Sequence, residues 1–363
     1  MINYVPNSYK TPFKPTPIKI ERSVYCEMNF LRKIQPILES PLTILDMDER
    51  DLRFKMLVDM LINFNLYVDI PENDIPRDTK LYDFSNNILQ KIARKKFSGT
   101  GTRIKGNQHF VSIHQISEHS TPEQLNSIYL TCEPDELCRQ ISKKYGVMII
   151  RYDEKEDDVT PKYLLKNAIM NKHILKGTKV DGNRWGFLQE LHAISNSLIV
   201  IDGYILNSND VLTNNLRNIL DKILPRESLS IPYNITILAN EKTETNKFEL
   251  CLSDAKDNVA NIIREIRPDD FNFSLNVCSM MGREHDRWII TNNLYLSCPS
   301  GFDLITCDKK NITRYNKSSV VHASYIYSNR EDKRDYEQLC QRLINLQKDE
   351  NVIWMDDKIN RLL

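Results

Sequence analysis

In the second half of the chain, short runs of branched apolar residues recur between segments with helical spacing. That alternation limits the available folds more than any other feature. Gly146 to Tyr152, Leu198 to Leu206, Ile235 to Ala239 and Phe271 to Ser279 read as strands, because β-branched and aromatic side chains suit a pleated, buried surface. A helix is expected from about Pro161, a second over Val211 to Leu224 where Pro225 ends it, and a third over Asp254 to Arg267. A hairpin over 286–298, a strand from Val320 to Tyr327 and a last helix from Arg334 to Leu346 complete the run. Strand and helix in alternation are the signature of α/β layering.

The first half has a different texture. Pro6, Pro12, Pro15 and Pro17 predict an extended arm over 1–20, since each proline fixes its own backbone angle and biases the residue before it. From Ser23 to Leu89 the spacing turns helical, with Leu45, Leu52, Met56, Leu57, Met60, Leu61 and Phe64 placed for one buried face. Phe110 to Ile116 is strand-like. The expected organisation is therefore an arm (1–20), a mostly helical N-terminal region (21–145), an α/β domain (146–330) and a C-terminal helix (331–363). No internal repeat of 20 to 50 residues is visible.

Bulk properties narrow the class. The 49 basic and 49 acidic side chains cancel, so no global field draws in nucleic acid or an anionic membrane, and any such contact is local. No apolar run approaches the ~20 residues that span a bilayer. Met1 to Ile20 lacks the apolar segment of a secretory signal. Eight cysteines without a Cys-x-x-Cys pair point to reduced core thiols and a cytoplasmic setting.

Chemistry concentrates in His285-Asp286-Arg287-Trp288-Ile289-Ile290-Thr291-Asn292, with Pro299-Ser300-Gly301-Phe302-Asp303 downstream. An imidazole can attack phosphorus while a neighbouring cation neutralises the charge that builds on the equatorial oxygens. Alternation along a strand puts His285 and Arg287 on one face. The same pair also reads as a satisfied polar contact fixing the hairpin, or as a phosphate ligand without turnover. Asp202 ends an apolar strand, where ligands of open α/β sheets gather, although Asp is equally at home capping the next turn.

Elsewhere, Lys91, Arg94, Lys95 and Lys96 precede Gly99, Gly101 and Gly106, with Arg103 and Lys105 among them. The loop lacks the Gly-Lys-Ser/Thr of a nucleotide cradle. Those six cations are candidates for nucleic-acid phosphate contact, or simply a solvated face. His109, His114 and His119 recur every five residues, a period that fits neither a helical nor a strand face, and no metal site is expected.

Two segments together, Ile199 to Ile205 containing Asp202-Gly203-Tyr204, and His285-Asp286-Arg287 with Gly301-Phe302-Asp303, resemble a phospholipase-D-like domain. The nearest likeness is the single-motif variant at the C-terminus of MIT-domain trafficking proteins and in assorted bacterial proteins. That variant opens with a strand ending in Asp-Pro-Tyr and later carries His-Asp-Arg and Gly-x-Gly-x-Asp. Here Gly203 replaces the proline, and the first glycine of the last element is Pro299 or missing. The resemblance spans roughly Gly146 to Tyr327 and implies a mixed sheet flanked by helices.

It further implies His285 as nucleophile, Arg287 where the wider superfamily has Lys, Asn292 where it has Asp, and Asp202 and Tyr204 beside Arg287 at the phosphate. One motif copy implies a homodimer that pairs two motifs across a two-fold axis, without a cofactor. The function it implies is recognition of a phosphodiester or phosphate-bearing partner, nucleic acid before lipid, in a bacterial defence or mobile-element setting. The N-terminal region would then serve as a partner-binding module. A metal-independent phosphodiesterase or nuclease, and a structural adaptor subunit of a larger complex, are the competing classes.

Overall fold

The structure is a computed structural model, described over residues 22–39, 48–75, 87–97, 103–162, 169–180, 182, 184–191, 194–240, 249–279, 287–307, 312–326, 336–341, 343–345, 353–354 and 360–362. Its strands form two large sheets. The first takes β1 (Ser23–Cys26), β2 (Asn65–Val68), β3 (Ile104–Lys105), β4 (Ile128–Thr131), β5 (Met148–Asp153) and β6 (Asp158–Thr160) in the order β3-β2-β1-β4-β5-β6. All neighbours are parallel except β5 and β6.

The helices expected in this region are present, but they pack on a sheet rather than on one another alone. They are α1 (Met28–Glu39), α2 (Glu49–Asn63), α3 (Asn87–Phe97), α4 (Pro122–Leu125) and α5 (Asp135–Tyr145). Local chemistry sets their ends. Asp48 caps α2 by accepting from the Asp51 amide at 2.9 Å, and Thr121 and Gln124 close α4 with a reciprocal capping box. Gly146 ends α5 in the left-handed region at φ 63°, and a side chain there would run into the Ser195 carbonyl.

Several expectations need correction here. The first-half strands escaped notice because β1 and β2 are four residues long and almost wholly buried. Such runs carry no period-2 signal and cannot be told from buried helix by pattern. β5, expected to open the second domain, pairs with β4 and β6 within the first sheet. Phe110 to Ile116 is not a strand, since a 3₁₀ turn occupies Ile113–Gln115. Leu52, expected on the buried face of α2, is 47% exposed. Leu45 lies outside the described residues.

The second sheet takes β7 (Ile169–Ile174), β8 (Ser197–Ile201), β9 (Tyr233–Ala239), β10 (Phe273–Ser279), β11 (Trp288–Thr291), β12 (Leu294–Ser297), β15 (Ser319–Tyr325) and β16 (Ile353–Trp354). A separate hairpin, β13 (Ile305–Cys307) and β14 (Thr313–Tyr315), lies between β12 and β15 in the chain. The large sheet runs β16-β10-β9-β8-β11-β12-β15-β7. β8, β9 and β10 are mutually parallel, and the remaining neighbours are antiparallel.

This mixed sheet with helices is the α/β layering the alternation predicted. One helical stretch, α6, runs from Asn209–Val211 through a π-helical turn, Leu212–Leu216, into Arg217–Ile223, and α7 covers Leu252–Ile266. Past Pro161, where a helix is expected, residues 169–174 form edge strand β7, whose polar Asn171 and Lys172 are exposed. Residues 163–168 lie outside the described residues. The strand expected to reach Leu206 stops at Ile201, because Asp202 and Gly203 begin a turn. Helical residues 336–341 and 343–345 agree with the predicted last helix, and the arm over 1–20 lies outside the described residues. No helix among the described residues is long and apolar enough to cross a membrane.

A buried amide knot ties the two sheets together. The Asn196 side-chain amide donates to the carbonyls of Leu125 (2.9 Å) and Tyr145 (3.0 Å), and that of Asn126 donates to the Arg361 carbonyl (3.0 Å). The first two bonds satisfy main-chain carbonyls at the ends of α4 and α5, and the third satisfies that of Arg361, groups that an apolar residue would leave unpaired.

Candidate anion site

Parallel β8, β9 and β10 end together at Ile201, Ala239 and Ser279. Antiparallel β11 brings its first residue, Trp288, opposite Ile201, so Arg287 enters the sheet at the edge where β8 leaves it. Asp202 extends the ladder by one bond, from its amide to the Leu238 carbonyl at 3.0 Å. Its side chain is fully buried. Oδ1 accepts from the Tyr204 amide at 2.9 Å and Oδ2 from the Phe302 amide at 2.5 Å. One carboxylate thus closes the turn after β8 and pins the loop after β12.

Burial pushes the Asp202 carboxyl up to about 6, against the pull of the Phe302 and Tyr204 amides. The Asp303 carboxylate adds to the rise, and the Arg287 guanidinium opposes it. Gly301 is required beside it: its φ is 89°, and a side-chain carbon there would sit 2.7 Å from Asp303 Oδ1 and 3.2 Å from Asp202 Oδ2. Gly203 is similarly constrained by Asn240, whose Nδ2 would lie 2.5 Å from an added carbon.

Two cations flank an aromatic ring at this edge. The Arg287 guanidinium carbon lies over the Tyr204 ring, 5.7 Å from its centroid, and Lys317 Nζ lies 5.8 Å from it. Lys317 donates to both oxygens of Asp303 at 2.8 Å and to the Ser300 carbonyl at 3.2 Å. Arg287 differs. Its Nε is buried with no hydrogen-bond partner, and it forms no ion pair with a carboxylate among the described residues. A buried donor without a partner is costly, and Arg50 Nε, Trp185 Nε1 and Trp288 Nε1 share that state among the described residues. Tyr204 as a whole residue is 40% exposed.

Asp202, Tyr204 and Arg287 therefore meet at one sheet edge. His285 lies outside the described residues. Asn292 does not join them. It sits at the far end of β11, five residues and ~16 Å of strand from Arg287. There Oδ1 accepts from the amides of Asn196 (2.9 Å) and Ser197 (3.1 Å), and Nδ2 donates to Asn126 Oδ1 (2.5 Å) and Asn196 Oδ1 (3.1 Å). Asn292 belongs to the amide knot, not to the site. Sequence reasoning missed Lys317 altogether, and it named Asp303 only as part of a motif.

The basic cluster divides. Lys91, Arg94, Lys95 and Arg103 are exposed, and half-buried Lys105 places its ammonium 5.3 Å from the Tyr67 ring centroid. Lys96 is only 2% exposed and donates to the carbonyls of Ile62 and Phe64 at the end of α2, so it is a helix-end clamp rather than a surface contact. Gly99 and Gly101 lie outside the described residues. Gly106 packs on Glu72, which accepts its amide at 2.7 Å. His114 pairs with Glu133 at 3.1 Å, and no group of metal-binding side chains occurs among the described residues.

The first sheet has the strand order of a doubly wound fold, whose ligand crevice opens between the carboxyl ends of β1 and β4. Glu27 fills that crevice. Its carboxylate accepts from Thr131 Oγ1 at 2.5 Å and the Cys132 amide at 3.0 Å, and α1 starts at the next residue without a glycine loop to admit a pyrophosphate. The edge formed by Asp202, Tyr204, Arg287 and Lys317 is the better candidate. No protein-family model matches the chain, and no curated protein matches it.

Proposed function

We propose that the chain binds a phosphodiester or other phosphate-bearing partner through Arg287 and Lys317, with Tyr204 beside them and buried Asp202 holding the two loops in place. The observation that carries this reading is the Arg287 side chain, whose buried Nε has no partner while its guanidinium lies over a partly exposed ring. A planar guanidinium suits the two-pronged recognition of a phosphate. Nucleic acid is taken before a lipid headgroup, following the resemblance.

Recognition is favoured over turnover by the position of Asn292. The polar group that the motif spacing supplies to orient an imidazole is spent on Asn126, Asn196 and Ser197 at the opposite end of β11. Labelled oligonucleotide binding to the parent, Arg287→Ala and Lys317→Ala tests the proposal. Both variants should bind more weakly, Arg287→Ala the more so. Equal binding by all three would remove the site from this edge.

A further inference from the structure

Resting on the phosphate-binding reading, we infer that the site is one end of a basic track, and that the partner is a nucleic-acid backbone whose further phosphates lie on Lys176, Lys179 and Lys172. The track begins at Lys317. The next residue, Ser318, is bonded on two sides: its carbonyl accepts from Ser300 Oγ at 3.0 Å, in the loop of the site, and its Oγ accepts from the Lys176 amide at 2.9 Å. Lys176 therefore opens a turn set directly beside the site. Main-chain bonds frame that turn, from the Gly177 amide to the Tyr315 carbonyl (2.8 Å), from Tyr315 to the Thr178 carbonyl (3.1 Å) and from Val180 to the Thr313 carbonyl (2.9 Å). Arg314 donates to the Gly177 carbonyl at 2.9 Å, and a β-bridge pairs Lys179 with Arg314. Lys172 lies on β7, the edge strand that leads into the turn. Charge is what this edge offers. The whole chain is neutral, yet residues 169–182 and 303–326 carry seven Lys or Arg against three acidic side chains, so an anion is drawn here rather than to the molecule at large. Of those acids, Asp303 is taken by Lys317. Lys172, Lys176 and Lys179 are exposed and form no ion pair among the described residues. Three unneutralised ammonium groups on one hydrogen-bonded edge, beside a guanidinium site, suit a chain of phosphates rather than a lone one. A lipid surface fits less well. Leu175 and Val320 are large apolar side chains exposed on this edge, but even a whole myristoyl chain binds a membrane only marginally by itself.

The test measures binding of the full chain to a short and a long oligodeoxythymidylate across a salt series, with polyglutamate and phosphoinositide-containing vesicles as further probes. Affinity and the steepness of its salt dependence should both grow with strand length. Substituting Lys176→Ala and Lys179→Ala together should make the long-strand slope shallower by about 1.4, for two phosphate contacts at about 0.7 each, and should leave the short strand nearly unaffected. Both side chains are exposed, so the double variant should melt with the parent. Arg287→Ala should weaken both strands. A double variant that keeps the parent's slope on the long strand, while Arg287→Ala weakens both, would overturn the track and leave the phosphate site standing. A long strand weakened by the lysine substitutions but indifferent to Arg287→Ala would overturn the site, and with it the track as its extension. Tighter binding to polyglutamate or to the vesicles than to the long strand would overturn nucleic acid as the partner.

Discussion

Placing a carboxylate at Asn292, where the motif that this chain resembles has Asp, should damage this protein, not activate it. In Asn292→Asp the two Nδ2 bonds, to Asn126 Oδ1 and Asn196 Oδ1, are lost, and a carboxyl oxygen is placed against two acceptors. Asn292 is 2% exposed, so water cannot substitute. Two net hydrogen bonds at ~1 kcal/mol each, plus a desolvation penalty of ~1–3 kcal/mol for the unpaired groups, give a loss of ~3–5 kcal/mol. That is a large share of the ~5–15 kcal/mol by which a domain is ordinarily stable. The deficit should shrink in acid, where the carboxyl carries a proton and can make one of the two bonds. Denaturant unfolding at pH 7 and pH 4, followed by circular dichroism, measures both effects. A variant as stable as the parent at pH 7, or one that gains metal-independent phosphodiesterase activity, would refute the assignment of Asn292 to the seam.

Three further outcomes are expected. The Asp202 carboxyl is raised from 3.8 to about 6 in the fold, so the stability it contributes is fully present below about pH 3.8 and is lost as pH rises through about 6. The span is on the order of 3 kcal/mol. Asp202→Asn should flatten the unfolding free energy in that window relative to the parent, and parallel pH profiles would show that burial does not govern this group. Lys96→Met removes two bonds from the end of α2 and should lower stability by ~2 kcal/mol or more. Lys91→Ala, on the exposed side of α3, should stay within ~0.5 kcal/mol of the parent in the same melt.

What could be read from the sequence depended on whether a side chain's role is local. β8, β9 and β10 were legible because their branched apolar runs stand out between helical segments, and Asp202 was legible because it ends such a run. β1, β2 and β3 were not, since four residues or fewer, paired to strands far away in the chain, leave no period to detect. Alternation set the expectation that His285 and Arg287 share a face, but it does not reveal what Asn292 bonds to. Its partners, Asn126 and Asn196, are 166 and 96 residues away. Lys96 looked like its solvated neighbours because a charge run does not reveal which member turns inward. Lys317 lies in a polar turn with no pattern of its own and becomes visible only when that turn packs on Asp303 and Tyr204.

If Arg287 binds a phosphate, the salt dependence of oligonucleotide binding registers it most directly. Each phosphate contact on a single strand contributes a slope of about −0.7 in log affinity against log salt. Arg287→Ala should therefore bind at least ~10-fold more weakly at low salt, for the loss of a charge-assisted bond, and with a slope shallower by about that amount. A variant that binds with the parent's affinity and the parent's slope would contradict the account.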